Sequence, residues 1–358
     1  MAQPSASNGE QVKSRERRPL RMDRAHTYSY HADDGVELRL TRYDGGGKGP
    51  VILAPGYGTS SLAFSIDTVD VNFPEYLYAN GYDVWLLDYR SSPELPSATT
   101  QFTVDDIATR DWPATVEKVR EVSGAGDVQV MAHCVGSMSF LMGMMAGMKG
   151  VRSAVCSQLT AHPVAPTLNQ VKAGLHLADL LPVMGFDTLT TDYEDSHWQE
   201  SIFDKVLKLY PTHERCNSPV CRRILFMYGE VYKHENLNQA THDAMHEMFG
   251  VANMTTFKQL GAIVRAGHIV DKDGKNSYLP HLDRLRIPIS FIHGEENGLF
   301  LTKGSEITYN VLREANGPDL YTRTVIKNYA HMDCFIGKDS ARDVFPIVLA
   351  ELEKGNAA

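Results

Sequence analysis

The chain has 358 residues, 43% of them hydrophobic, and a formal net charge of −9 with a pI near 5.9. This length fits one large α/β domain with a sizeable insertion, and no basic tract occurs beyond Lys13 to Arg24, which argues against a nucleic-acid partner. Residues 1–24 lack a signal-peptide apolar core and no run approaches the ~20 apolar residues of a membrane span, so a cytoplasmic protein without stable membrane insertion is expected.

Residues 1–25 read as a disordered tail and 26–358 as one domain. Tyr28 to Ala32 and Val36 to Leu40 alternate across Asp33-Asp34-Gly35, the pattern of an antiparallel entry hairpin. Val51 to Ala54 and Tyr82 to Leu87 are short apolar runs and predict buried strands. Val104 to Val122 has helical spacing after Thr103, with Asp105 and Asp106 in its first turn. Further strands are expected at Val128 to Met131, Val151 to Val155, Ile287 to Ile292 and Thr322 to Ile326, and a last helix from about Ser340 to Glu353. The alternation predicts a mostly parallel central sheet with helices on both faces. The long amphipathic stretch at about 162–282 predicts a large helical cap.

Ala132-His133-Cys134-Val135-Gly136 lies where a strand turns sharply into a helix. Small residues two positions either side allow such a turn, whose tip exposes a nucleophile at a helix N-terminus, where free N–H groups favour a thiolate. Cys134, the stretch Gly294 to Asn297 and His331 all follow strands and converge on one sheet edge. With five cysteines and no secretory signal, free thiols are the default.

Together with Asp34-Gly35, Gly81-Tyr82-Asp83-Val84-Trp85-Leu86, Trp112-Pro113-Ala114-Thr115 and Tyr329-Ala330-His331-Met332-Asp333, the Cys134 elbow carries a resemblance. The chain resembles proteins of the α/β-hydrolase fold, and within them the acid lipase group. It also resembles the hydrolase-like regions of cholesterol-oxidase-type flavoproteins, but it has no Gly-x-Gly-x-x-Gly fingerprint, so no flavin or other cofactor is expected. The resemblance implies a nucleophile, an acid and a histidine in that order. Here Cys134 replaces serine and Asn297 replaces aspartate, giving a Cys-His-Asn set with His331; Glu296 is the rival third member, one residue away. A thiolate–imidazolium pair tolerates a neutral third member, as in papain-like proteases. The backbone N–H groups of Val135 and, through the loop Ala54-Pro55-Gly56-Tyr57-Gly58-Thr59, of Tyr57 are the implied oxyanion donors.

The expected function is acyl transfer through a Cys134 thioester on a hydrophobic or medium-sized acylated small molecule, as esterase, thioesterase or acyltransferase. One alternative is a lyase that eliminates a carboxylate such as acetate from an acylated specialised metabolite; another is a binding module with a relic triad. His133 and the methionine-rich stretch Met138 to Met148 read as packing, whereas Leu175 to Met184 with Phe226, Met227, Met248 and Phe249 could line a pocket. Cys216 and Cys221, with His213 before and His234 after, form a weak zinc pattern, and no metal is expected. The oligomeric state is left open.

Overall fold

The computed structural model of the protein describes residues 15–166, 187–191 and 216–357. Its strands are β1 His26–His31, β2 Glu37–Asp44, β3 Pro50–Ala54, β4 Asp83–Asp88, β5 Val128–His133, β6 Val151–Ser157, β7 Thr188–Thr190, β8 Val251–Asn253, β9 Ile289–Gly294 and β10 Tyr321–Ile326. Eight of them form one sheet in the order β1-β2-β4-β3-β5-β6-β9-β10. β2 runs antiparallel to β1 and β4, and all other neighbours are parallel. Every residue of β3, β4 and β5 is buried because both faces are covered. Val51, Leu53 and Met131 pack with Phe73, Phe335 and Phe345 on one side. Ile52, Val130 and Ala132 pack with Trp112, Met138 and Met145 on the other. Met138, Met142, Met144 and Met145 therefore fill core, as expected of a helix that packs against the sheet behind the elbow.

Some elements differ from expectation. The helix expected from Val104 opens into a wide turn at Ile107–Asp111 before Trp112–Ser123. Helix Val135–Ala146 lies directly on that turn, where a Cβ at Gly143 would stand 2.6 Å from the Ala108 carbonyl oxygen. The last helix divides at Val344 into Ser340–Asp343 and Phe345–Ala357, with Pro346 in the first turn of the second piece. Between β6 and β9 the described residues hold helices Pro219–Met227, Gln239–Asp243, Met245–Met248 and Met254–Ala266 and the small β7–β8 ribbon, which is absent from the sequence reading. The apolar run Leu175 to Met184 lies outside the described residues.

Residues 15–25 make defined contacts with the rest of the fold. Arg15 bonds both Asp67, through Nη1 at 2.8 Å, and Glu247, through Nε at 2.8 Å. Arg18 makes a two-pronged contact with the buried Glu75, at 2.6 and 2.7 Å. Two-pronged arginine–carboxylate pairs hold position better than single contacts.

Candidate active site

Cys134 sits between β5 and helix Val135–Ala146 at φ 54°, ψ −126°, a conformation that non-glycine residues adopt only under constraint. The glycines around it explain how the turn closes. A Cβ at Gly136 would collide with the Pro55 carbonyl oxygen, and one at Gly56 would stand 3.2 Å from the Cys134 Cβ. The loop Ala54 to Thr59 thus lies directly against the elbow. Tyr57 Oη donates to the Asn253 carbonyl at 2.9 Å and Tyr89 Oη to the Pro55 carbonyl at 3.1 Å, fixing that loop from two sides. The backbone N–H groups of Val135 and Tyr57 lie near enough to the Cys134 sulfur to pull its pKa down.

Those donors do not make a thiolate. Burial pushes the Cys134 thiol up to about 12, outweighing the two N–H groups that pull the other way. His331 is likewise held neutral, well below its ordinary value, by burial first and then by His133 and His293 nearby. The thiolate–imidazolium pair expected from the sequence is therefore disfavoured on both sides. No hydrogen bond joins the Cys134 sulfur to the His331 ring among the described residues. His331 stands edge-on to His133, ring centroids 4.6 Å apart, immediately beside the elbow.

Asn297 Nδ2 lies 3.0 Å from His331 Nδ1, and the surrounding bonds identify which partner donates. Asn297 Oδ1 accepts from the backbone N–H groups of Leu299 at 2.9 Å and Phe300 at 3.0 Å, so the amide cannot turn over without breaking both. Gln158 Oε1 accepts from the Gly294 N–H at 3.0 Å and from Asn297 Nδ2 at 2.9 Å. His293 Nε2 also lies 3.2 Å from Asn297 Nδ2, but it spends its proton on the Phe300 carbonyl at 2.9 Å and has no lone pair to offer. The second Asn297 N–H therefore points to His331 Nδ1, which accepts. A neutral ring that accepts at Nδ1 carries its proton on Nε2. This is the opposite tautomer from the one a carboxylate selects.

Glu296, the rival third member, is not at His331. Its carboxylate pairs with Lys233 at 2.8 Å and is 44% exposed. His133 packs against Phe335 below the elbow, and burial lowers it to about 3. Two residues that the sequence reading missed belong to the site. Gln158, at φ 72° just past β6, orients Asn297; its place after a strand on the same edge was the available signal. Tyr228 packs against Phe249 and Phe257, and its buried hydroxyl has no hydrogen-bond partner among the described residues. That hydroxyl lies so close to Gly58, at φ 68°, that any Cβ there would strike it. Met248 and Phe249 pack with Ile224, Leu225 and Met332 in a buried cluster that joins the segment between β6 and β9 to the rest of the fold.

A model of the Alpha/beta hydrolase family matches residues 51–261. Lipase lipl-3 of Caenorhabditis elegans is 32% identical over 137 residues, 32% of this chain and 33% of that protein. Lipase 1 of Drosophila melanogaster is 28% identical over 119 residues, 31% of this chain and 27% of that protein. The chain thus spans about a third of the length of these curated relatives. Among solved structures, a soluble variant of monoglyceride lipase from Saccharomyces cerevisiae is similar with a TM-score of 0.60 and 15% identity, covering 94% of this chain and 97% of that one. A Pyrococcus furiosus esterase is similar with a TM-score of 0.54 and 14% identity, covering 94% of each chain. At such identities the likeness is one of fold, the α/β-hydrolase fold. No described helix is long and apolar enough to cross a membrane.

Proposed function

Because the chain belongs to the alpha/beta hydrolase family, we propose that it is an acyl-transfer enzyme in which Cys134 carries the acyl group as a thioester and Asn297 orients His331. The observation that carries this reading is the strained Cys134 elbow pressed against the Gly56–Tyr57 loop, where a Cβ at Gly56 would stand 3.2 Å from the Cys134 Cβ, with the Val135 and Tyr57 N–H groups on the side of the sulfur. A carbonyl carbon that reaches this sulfur brings its oxygen to the same donors, which then stabilise the developing negative charge. The lipases among its sequence relatives agree with ester-type substrates at the level of the family.

The His331 tautomer narrows the donor. A ring with its proton on Nε2 offers a hydrogen bond, as neutral electrophilic histidines do, and does not take up the thiol proton. An alkyl ester must expel an alkoxide, which needs a proton as it leaves. A thioester expels a thiolate whose conjugate acid has a pKa of about 8.5, and it departs unaided. We therefore read the donor as an acyl thioester. Cys134 loses its proton to water, its sulfur bonds the acyl carbon, the donor C–S bond breaks, and the expelled thiolate regains a proton from water. An amine acceptor attacks the resulting thioester without a base, whereas water or an alcohol requires one.

Intact-protein mass spectrometry of wild type and Cys134→Ala with matched acyl thioesters and alkyl esters tests this. The expected result is an adduct confined to wild type, faster with thioesters, and faster as pH rises because a thiol raised to about 12 ionises progressively across the working range. Substrate consumption that needs Cys134 but leaves no adduct would overturn the covalent reading. It would favour the second reading, elimination of a carboxylate, in which the Cys134 thiolate takes the substrate proton while the Nε2–H of His331 hydrogen-bonds the departing carboxylate oxygen.

A further inference from the structure

Away from the elbow, four side chains of the cap meet at one point. Cys216 Sγ lies 3.3 Å from His242 Nε2, and Cys221 Sγ lies 3.3 Å from His234 Nε2. The four atoms all fall within 4.8 Å of one another. A tetrahedral zinc with Zn–S of about 2.3 Å and Zn–N of about 2.0–2.1 Å separates sulfur from nitrogen by about 3.6 Å. The observed separations need only a few tenths of an ångström of expansion. We propose that Cys216, Cys221, His234 and His242 bind one zinc ion in a closed structural site.

The surroundings agree with metal ligation rather than with two separate hydrogen bonds. Both histidines turn the same nitrogen, Nε2, inward, and their ring centroids are 5.2 Å apart. The outer nitrogen of His242 faces the Asp243 carboxylate at 3.5 Å, the outer contact that fixes a ligating imidazole. Each sulfur also receives a donor that suits a thiolate: the Ser218 backbone N–H at 3.4 Å on Cys216, and the Tyr232 hydroxyl at 3.1 Å on Cys221. With all four positions filled by protein, no position is open for a substrate or water, which excludes a catalytic role for the ion. Sequence spacing hides the site, because seven residues separate the two histidines. His213, the other neighbour considered from sequence, lies outside the described residues.

The ion would tie the stretch before helix Pro219–Met227, its first turn, the turn His234–Asn236 and helix Gln239–Asp243 into one unit. That unit holds the loop of His331. The Met332 N–H donates to the Val231 carbonyl at 2.6 Å, and Asn236 Nδ2 donates to the Asn328 carbonyl at 2.8 Å. Two thiolates balance the charge of the divalent ion, as a partly buried site requires.

The test uses the full, reduced chain titrated with Co(II) alone and then with Zn(II). Expected are one equivalent of cobalt, tetrahedral visible bands with thiolate-to-cobalt charge transfer, displacement by zinc, and one zinc per chain by elemental analysis after gel filtration. Zinc should also shield Cys216 and Cys221 from maleimide, read by peptide mass spectrometry, and raise the melting temperature. The same uptake by Cys134→Ala keeps this result separate from the active-site reading. Cys216→Ser and His242→Ala should each lose the equivalent while keeping the circular dichroism of the apo protein. Failure of the wild type to retain metal, a cobalt spectrum without thiolate charge transfer, or unchanged uptake by folded Cys216→Ser would overturn the proposal.

Discussion

At the scale of single residues, one amide decides what His331 does. Exchanging the acid of a serine-protease triad for its amide leaves the geometry intact and costs roughly 10⁴ in kcat, because the histidine adopts the wrong tautomer. Asn297 stands in that position here, with its oxygen committed to Leu299 and Phe300 and its nitrogen turned to His331. Asn297→Asp should invert the bond, put the proton on Nδ1 and free Nε2 as a base. The expected outcome is faster Cys134 acylation at neutral pH, by about 10²-fold or more, and a new ability to use alkyl esters. Equal rates in burst kinetics for the two proteins would refute the tautomer argument. The position of Asn297 was legible in the sequence, as the acid position after a strand. The direction of its bond was not, because it depends on Gln158 and on two backbone groups that no local pattern reveals.

At the scale of elements, the elbow depends on the contact between two turns. Gly136 opens helix Val135–Ala146, and any side chain there would press on the Pro55 carbonyl, one residue before Gly56 of the loop that carries Tyr57. Gly136→Ala should destabilise the fold by about 1–3 kcal/mol, the usual cost of overpacking. It should also reduce the acylation rate more than the stability loss explains, because the loop bearing the Tyr57 N–H is pushed away. A urea titration alongside adduct kinetics measures both; a stable protein with wild-type kinetics would show that the contact is slack. This turn was readable from five residues because its sterics are local. The wide turn at Ile107–Asp111 was not, since it answers to the close approach of another helix at Gly143.

For the whole molecule, the parallel sheet was legible because buried strands are short apolar runs, as in β3, β4 and β5. The cap was harder to read: its cysteine and histidine partners meet through turns whose paths no hydrophobic period records. The fold also holds several imidazoles neutral. Burial lowers His133 to about 3 and His293 to about 4, and His331 is pushed down as well. Below about pH 6.5 the unfolded chain binds protons at these positions that the folded chain refuses. Their contribution is therefore complete above that pH and is lost as pH falls, at up to roughly 4 kcal/mol per pH unit for the three together. Urea midpoints should fall from pH 7.5 to 6, before the buried Asp111 and Asp333 carboxyls, raised to about 6, begin to pull the other way; equal midpoints at those two pH values would contradict three buried neutral rings. The N-terminal stretch bears on how this protein is handled at the bench. A gene trimmed to begin at His26, where the first strand starts, would delete both Arg15 and Arg18. Asp67 and Glu75, 7% and 3% exposed, would then keep their charges in a poorly hydrated setting with their counterions gone. The two arginines ahead of the first strand are part of the packing.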